Sequence, residues 1–80
     1  MTEAEIYPFL TEIFREVFMN DEMTLTPTLS AEDVEGWDSF KQIEIVIAAE
    51  ERFGVKFKTR ELDDLQNIGD LVRLISSKNP

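Results

Sequence analysis

The residues with the most chemical potential lie in Gly36-Trp37-Asp38-Ser39-Phe40, where a carboxylate and a hydroxyl stand side by side just before a strongly apolar run. An Asp-Ser pair in that position either caps the helix that follows or carries something. The chain has no histidine and no cysteine. Ser39 therefore has no imidazole to deprotonate it and belongs to no Ser-His-Asp triad. Disulfides, thiolate metal centres and a protein-borne thiol nucleophile are excluded as well. No phosphate-binding loop is present, so an enzyme is the least expected class. A calcium loop counted from Asp33 to Glu44 also fails, because Asp38 takes the sixth position, where glycine is needed, and Trp37 takes a ligand position.

A helix must present Asp38 and Ser39, and the sequence supplies one. Residues 39–53, "SFKQIEIVIAAEERF", form the clearest element, with Gly54 placed as a left-handed cap. Ser39 and Gln42 read as an S-x-x-Q capping box, and Asp38 is able to cap one residue earlier. At about 100° per residue, Ile43, Val46, Ala49 and Phe53 form the centre of one face, and Ile45, Val46, Ala49 and Phe53 are expected to line the core with Leu71, Val72 and Ile75. Lys41, Glu44, Ala48 and Glu51 fall opposite, and Phe40, Ile45 and Ile47 lie on the flanks. That apolar arc is wider than one neighbour needs, which leaves residues for a partner.

The other elements follow from the same periodicity. Ile6, Leu10, Ile13, Phe14, Val17 and Phe18 form one stripe. Residues 8–18 are the firm part of that helix, and a Thr2/Glu5 capping box would start it near Glu3. Pro8 removes one helical hydrogen bond and opposes the preceding turn. Residues 19–38 read as a long loop punctuated by Asn20-Asp21, Pro27 and Gly36, with residues 30–33 able to form a single turn. Val55 and Phe57 alternate in a short extended link. A helical turn at residues 59–62 brings Leu62 and Leu65 inward. A last helix at residues 68–77 opens on Asn67-Ile-Gly-Asp70 and has Leu71, Val72, Leu74 and Ile75 as its apolar side. The fold class is all-α, with three longer helices and one short one in a single domain spanning 1–80.

Composition narrows the partners. Seventeen acidic against eight basic residues give a net charge of −9, which disfavours nucleic acid and anionic lipid and favours basic protein surfaces. The chain contains no run of 18 or more apolar residues and no signal-peptide pattern at its start, so no membrane span and a cytoplasmic location are expected. A monomer is the default.

The run "GWDSFKQIEIVIAAEERFGVKF" resembles the signature of acyl carrier proteins: Asp-Ser-hydrophobic, an acidic helix, then Glu-x-x-Phe-Gly. Asp38, Ser39, Phe40, Glu44, Glu50, Phe53 and Gly54 stand where that pattern wants them. The likeness extends over nearly the full chain, including the first helix, the long loop and the closing "NIGDLVRLI". It implies a four-helix bundle of acyl-carrier type. It also implies that a phosphopantetheinyl transferase, using Mg²⁺ and coenzyme A, attaches 4′-phosphopantetheine to the Ser39 hydroxyl, with Asp38 helping to present it. The arm's terminal thiol would then carry acyl groups as thioesters, so the missing sulfur chemistry arrives with the cofactor. Glu44 and Glu51 become candidates for pairing with basic docking patches on acyl-loading and acyl-transfer enzymes of fatty-acid or specialised lipid synthesis. Phe40 and Ile47 would supply the apolar anchor. Lys41, Arg52, the Phe after the serine and the "GWDS" lead-in depart from the commoner pattern and look more like a specialised member than the housekeeping one. The alternatives are an aminoacyl or peptidyl carrier, and an unmodified helical interaction domain.

Overall fold

The computed structural model describes residues 1–79. Four α-helices, α1 (Glu3–Val17), α2 (Ser39–Phe53), α3 (Thr59–Asp63) and α4 (Ile68–Lys78), are joined by loops, with one 3₁₀ turn at Ala31–Asp33. Among the described residues there is no strand, and the Val55–Phe57 link is irregular chain.

Helix α1 starts at Glu3, five residues before Pro8. Thr2 is its N-cap, and the reciprocal box with Glu5 is formed. Glu5 Oε1 accepts from the Thr2 backbone N–H at 2.9 Å and from its hydroxyl at 3.0 Å. Its carboxyl is held below the ordinary value first by that backbone N–H and then by the hydroxyl. Pro8 is accommodated because Ile6 and Leu10, on either side of it, are fully buried and hold the turn against the core.

The core is one cluster. Ile6, Leu10, Ile13 and Phe14 of α1 meet Ile45, Ala49 and Phe53 of α2, together with Val55 and, from α4, Ile68, Leu71, Val72 and Ile75. No polar residue is buried among the described residues, so the interior carries no desolvated polar group to satisfy. Helix α1 is the central packing partner of both α2 and α4.

The buried face of α2 is centred on Ile45, Ala49 and Phe53, as expected for the core, and is rotated by roughly 60° from the centre of the apolar face formed by Ile43, Val46, Ala49 and Phe53, taking 100° per residue. Ile43 is 55% exposed. The physical reason is that α1 is the neighbour that covers α2, and on the Ile43 side α2 borders an open cleft instead.

The connections are closed by specific hydrogen bonds. Gly54 ends α2 at φ 66°, ψ 36°, and the Val55 N–H reaches back to the Glu50 carbonyl at 3.2 Å, an αL ending that glycine adopts without strain. The Glu50 carboxylate accepts from the Phe57 N–H at 2.9 Å and so directs the chain towards α3. Asn67 caps α4 by accepting from the Asp70 N–H. The next two N–H groups of α4, those of Ile68 and Gly69, donate to the Leu29 and Pro27 carbonyls of the long loop, both at 2.9 Å. Glycine suits position 69: a Cβ would lie 3.0 Å from the Pro27 oxygen, so the loop backbone would have to give way.

Candidate functional site

The site is built where the long loop meets α2. Gly36, at φ 86°, turns the chain, and Trp37 follows it into an aromatic cluster. The indole meets Phe14 edge-on at 5.3 Å between centroids and Phe18 at 6.0 Å. Its N–H donates to Gln42 Oε1 at 2.9 Å. With Trp37 anchored, Asp38 takes an extended backbone, and its Oδ1 accepts from the Lys41 N–H at 2.9 Å. Asp38 is therefore the N-cap, and the expected Ser39/Gln42 capping box does not form. The Gln42 carboxamide is spent on the indole, and Ser39 is the first residue of the helix proper. This division of labour leaves the Ser39 hydroxyl exposed, free of capping duty, on a backbone that the Asp38 cap and the Trp37 anchor both hold in place.

Beside Ser39 opens a mostly apolar cleft of about 600 Å³. Trp37 and Ile43 form one wall, Leu62 and Leu65 another, and Leu71 the floor. Leu62 and Leu65 are half-buried, so they point inward as expected, but towards this cleft. The partial exposure of Ile43 is exposure to the same space. Its volume lies within the range of small-molecule sites.

The side of α2 that faces away from α1 is different. Phe40 (77% exposed) and Ile47 (51% exposed) stand on it with exposed Glu44 and Glu51. At 100° per residue the four fall within an arc of roughly 60°, directly opposite Ile45, Ala49 and Phe53. The two cations of α2 are turned away from this stripe. Lys41 Nζ donates to the Val17 carbonyl at the end of α1 at 3.0 Å, where a cation suits the helix dipole. It also approaches Glu44 at 3.7 Å. Arg52 pairs with Glu12 of α1 at 3.2 Å and lies 4.6 Å from the Phe9 ring centroid. The interruption of negative charge expected from Lys41 and Arg52 is thus directed at α1.

Among the described residues no group of three or more acidic side chains is placed to hold a metal ion, and no helix is long and apolar enough to cross a membrane. Sequence reasoning missed Trp37 as an anchor, Gln42 as its partner, and Leu62 and Leu65 as cleft walls. The signal for Trp37 was its isolation: the only tryptophan of the chain, in a loop, two residues before Ser39.

Comparison with known proteins adds to this geometry. A family model described as a phosphopantetheine attachment site matches residues 8–75. The chain is 35% identical over 77 residues to an acyl carrier protein of Acidothermus cellulolyticus, covering 96% of this chain and 92% of that one. It is 35% identical over 74 residues to the meromycolate extension acyl carrier protein of Mycolicibacterium smegmatis, covering 92% of this chain and 75% of that one. The solution structure of a holo acyl carrier protein from Geobacter metallireducens superposes with a TM-score of 0.85 at 39% identity, covering 90% of this chain and 83% of that one.

Proposed function

The chain belongs to the acyl carrier protein family, and on that premise we propose that Ser39 is its attachment residue for 4′-phosphopantetheine and that it carries acyl groups between enzymes of lipid synthesis. The observation that carries this reading is the division of labour at the head of α2. Asp38 caps, and Ser39 presents an exposed hydroxyl at a rigid helix start beside an apolar cleft. A residue that must become a phosphodiester has to be reachable by another protein's active site, and one that caps its own helix is already engaged. When bound, the cofactor supplies the thiol that the sequence lacks, and acyl groups ride on it as thioesters.

The residues around Ser39 divide the remaining tasks. Asp38 holds the serine backbone and places a carboxylate beside the hydroxyl, where it meets the transferase and its Mg²⁺. Phe40 and Ile47 are the apolar anchor for partner enzymes, and Glu44 and Glu51 pair with their basic docking patches. Such exposed pairs steer encounter and orientation more than they add affinity, which suits a carrier that must leave each partner. The protein is on this reading a substrate of other enzymes, a cytoplasmic monomer rather than a catalyst. The departures around Ser39 favour partners in a specialised lipid pathway.

The test is intact mass after incubation with coenzyme A, Mg²⁺ and a broad-specificity phosphopantetheinyl transferase, with Ser39→Ala alongside. One added phosphopantetheine in the parent and none in the variant is the expected result. An unmodified parent, folded by circular dichroism and offered several transferases, would leave an interaction domain as the better reading.

A further inference from the structure

The cleft beside Ser39 is not uniformly apolar, and its polar groups share a bias. Two half-buried carboxamides line it, Gln42 on α2 and Asn67 at the head of α4. In each the oxygen is already committed. Gln42 Oε1 accepts the Trp37 indole N–H at 2.9 Å. Asn67 Oδ1 accepts the Asp70 backbone N–H at 2.9 Å. An indole N–H and a backbone N–H are donors only, so neither carboxamide can flip end for end without losing its bond. Each keeps its NH₂ group, beside a second lone pair on the oxygen, for a ligand in the cleft. The Asp38 carboxylate, also on the cleft rim, is occupied at Oδ1 by the helix cap. The inner wall therefore offers fixed donors among apolar side chains.

We propose that this cleft discriminates among acyl chains, retaining those that bear a carbonyl oxygen in preference to saturated ones, with Gln42 as the specificity-determining donor and Trp37 as the residue that positions it. The inference rests on Ser39 carrying the acyl-bearing arm. A saturated chain entering the cleft satisfies Ile43, Leu62, Leu65 and Leu71 but strips water from the Gln42 NH₂ and leaves it unpaired. A 3-oxoacyl chain brings an acceptor and restores that bond. Sites that hydrogen-bond a ligand discriminate against the analogue lacking the partner atom because the site's own polar group is then left unsatisfied. Trp37 acts through Gln42: its ring is fixed by Phe14 and Phe18, and its N–H holds the carboxamide oxygen and so fixes where the NH₂ group lies.

The experiment loads the full chain with phosphopantetheine analogues carrying octanoyl or 3-oxooctanoyl groups through a stable amide in place of the thioester. Mass spectrometry first confirms one arm per chain at Ser39. The fraction of each chain inside the cleft is then read from the NMR shifts of a ¹³C label at the chain terminus. One neutral hydrogen bond, about 1 kcal/mol, corresponds to roughly fivefold greater retention of the 3-oxo chain. Gln42→Leu, which keeps the apolar bulk, brings the ratio close to one. Trp37→Phe, which keeps the aromatic packing and removes only the N–H, lowers the ratio while octanoyl retention stays where it was. A purely structural role for Trp37 would change both chains alike. Equal retention of the two chains in the parent overturns the proposal, as does a preference that survives Gln42→Leu. Should Gln42→Leu fail to fold, Gln42→Met and Trp37→Phe carry the same comparison. Failure to attach any arm at Ser39 removes the carrier reading itself, and mass spectrometry shows that before any ratio is measured.

Discussion

Substitutions at Asp38 separate its two tasks, because asparagine caps a helix about as well as aspartate but carries no charge. In the structure Asp38 Oδ1 accepts from the Lys41 N–H at 2.9 Å, satisfying one of the four N–H groups that a helix start leaves unpaired. Asp38→Ala removes that acceptor, at a cost of about 1 kcal/mol. Unfolding entropy of about 2.1 cal/mol/K per residue, over a chain of this length, converts that into a fall in Tm of roughly 6 °C. Asp38→Asn loses only the attraction of a negative charge to the helix N-terminus, about 0.3–0.5 kcal/mol, or roughly 2–3 °C. Attachment of phosphopantetheine is predicted to rank the variants differently. If the carboxylate meets the transferase and its metal, losing one contact to a charged group slows attachment by about tenfold or more in both variants. Thermal melting by circular dichroism and a mass-spectrometric time course at limiting transferase are the two assays. Asp38→Asn modified as fast as the parent would reduce Asp38 to a cap. Asp38→Ala melting within a degree of the parent would refute the capping argument.

Three further outcomes are expected. Ser39→Ala should leave the unfolding free energy within about 0.5 kcal/mol of the parent, since the cap is at Asp38 and alanine suits a helix interior; a loss near 1 kcal/mol, the size of a lost cap, would return the capping role to Ser39. Glu44→Lys and Glu51→Lys should each slow association with a basic partner enzyme, the effect fading as salt is raised, whereas Lys41→Gln should change association little because Lys41 already faces α1; stopped-flow rates at two ionic strengths decide it. The third concerns acid stability. Glu5 is held below the ordinary carboxyl value of 4.5 chiefly by the Thr2 backbone N–H, and Glu61 by the Lys58 backbone N–H and then Lys78. A depressed folded value means stability that is present above the unfolded value and lost as pH falls through the folded one. The gap in Tm between the parent and Glu5→Gln/Glu61→Gln should therefore be open at pH 7, narrow as pH falls below 4.5 and close only below the folded values; a gap that does not narrow on acidification would contradict the assignment.

Most of the fold was legible because its determinants are local. The Thr2/Glu5 box, the Gly54 ending, the Asn67 cap and the stripe of α1 are each written within a few residues, and each formed as expected. What the sequence did not disclose depends on partners far along the chain. Ser39/Gln42 matched a capping box by spacing, but whether Gln42 turned back to its own helix or across to an indole is decided by Phe14 and Phe18, which anchor Trp37 from α1. Ile43 falls at the centre of the apolar face by spacing yet lines the cleft, because periodicity gives angles between side chains and not the direction from which the neighbour arrives. Lys41 and Arg52 were counted against the negative face for the same reason: Val17 and Glu12, which hold them, lie 24 and 40 residues away. The head of α2 was readable as a site from its residue types, while the cleft beside it needed α3 and α4 in place.

The long loop is held to the start of α4 by two bonds from backbone N–H groups to backbone carbonyls, at Ile68–Leu29 and Gly69–Pro27. Every residue except proline owns such an N–H, and every residue owns such a carbonyl. These two attachments do not depend on which side chains the loop carries, whereas Met23, Leu25 and Leu29 add apolar packing against the core that does. Change at exposed loop positions such as Thr24, Thr28 and Glu32 therefore leaves these tethers in place, and with them the course that leads to the Trp37 anchor and the serine beyond it.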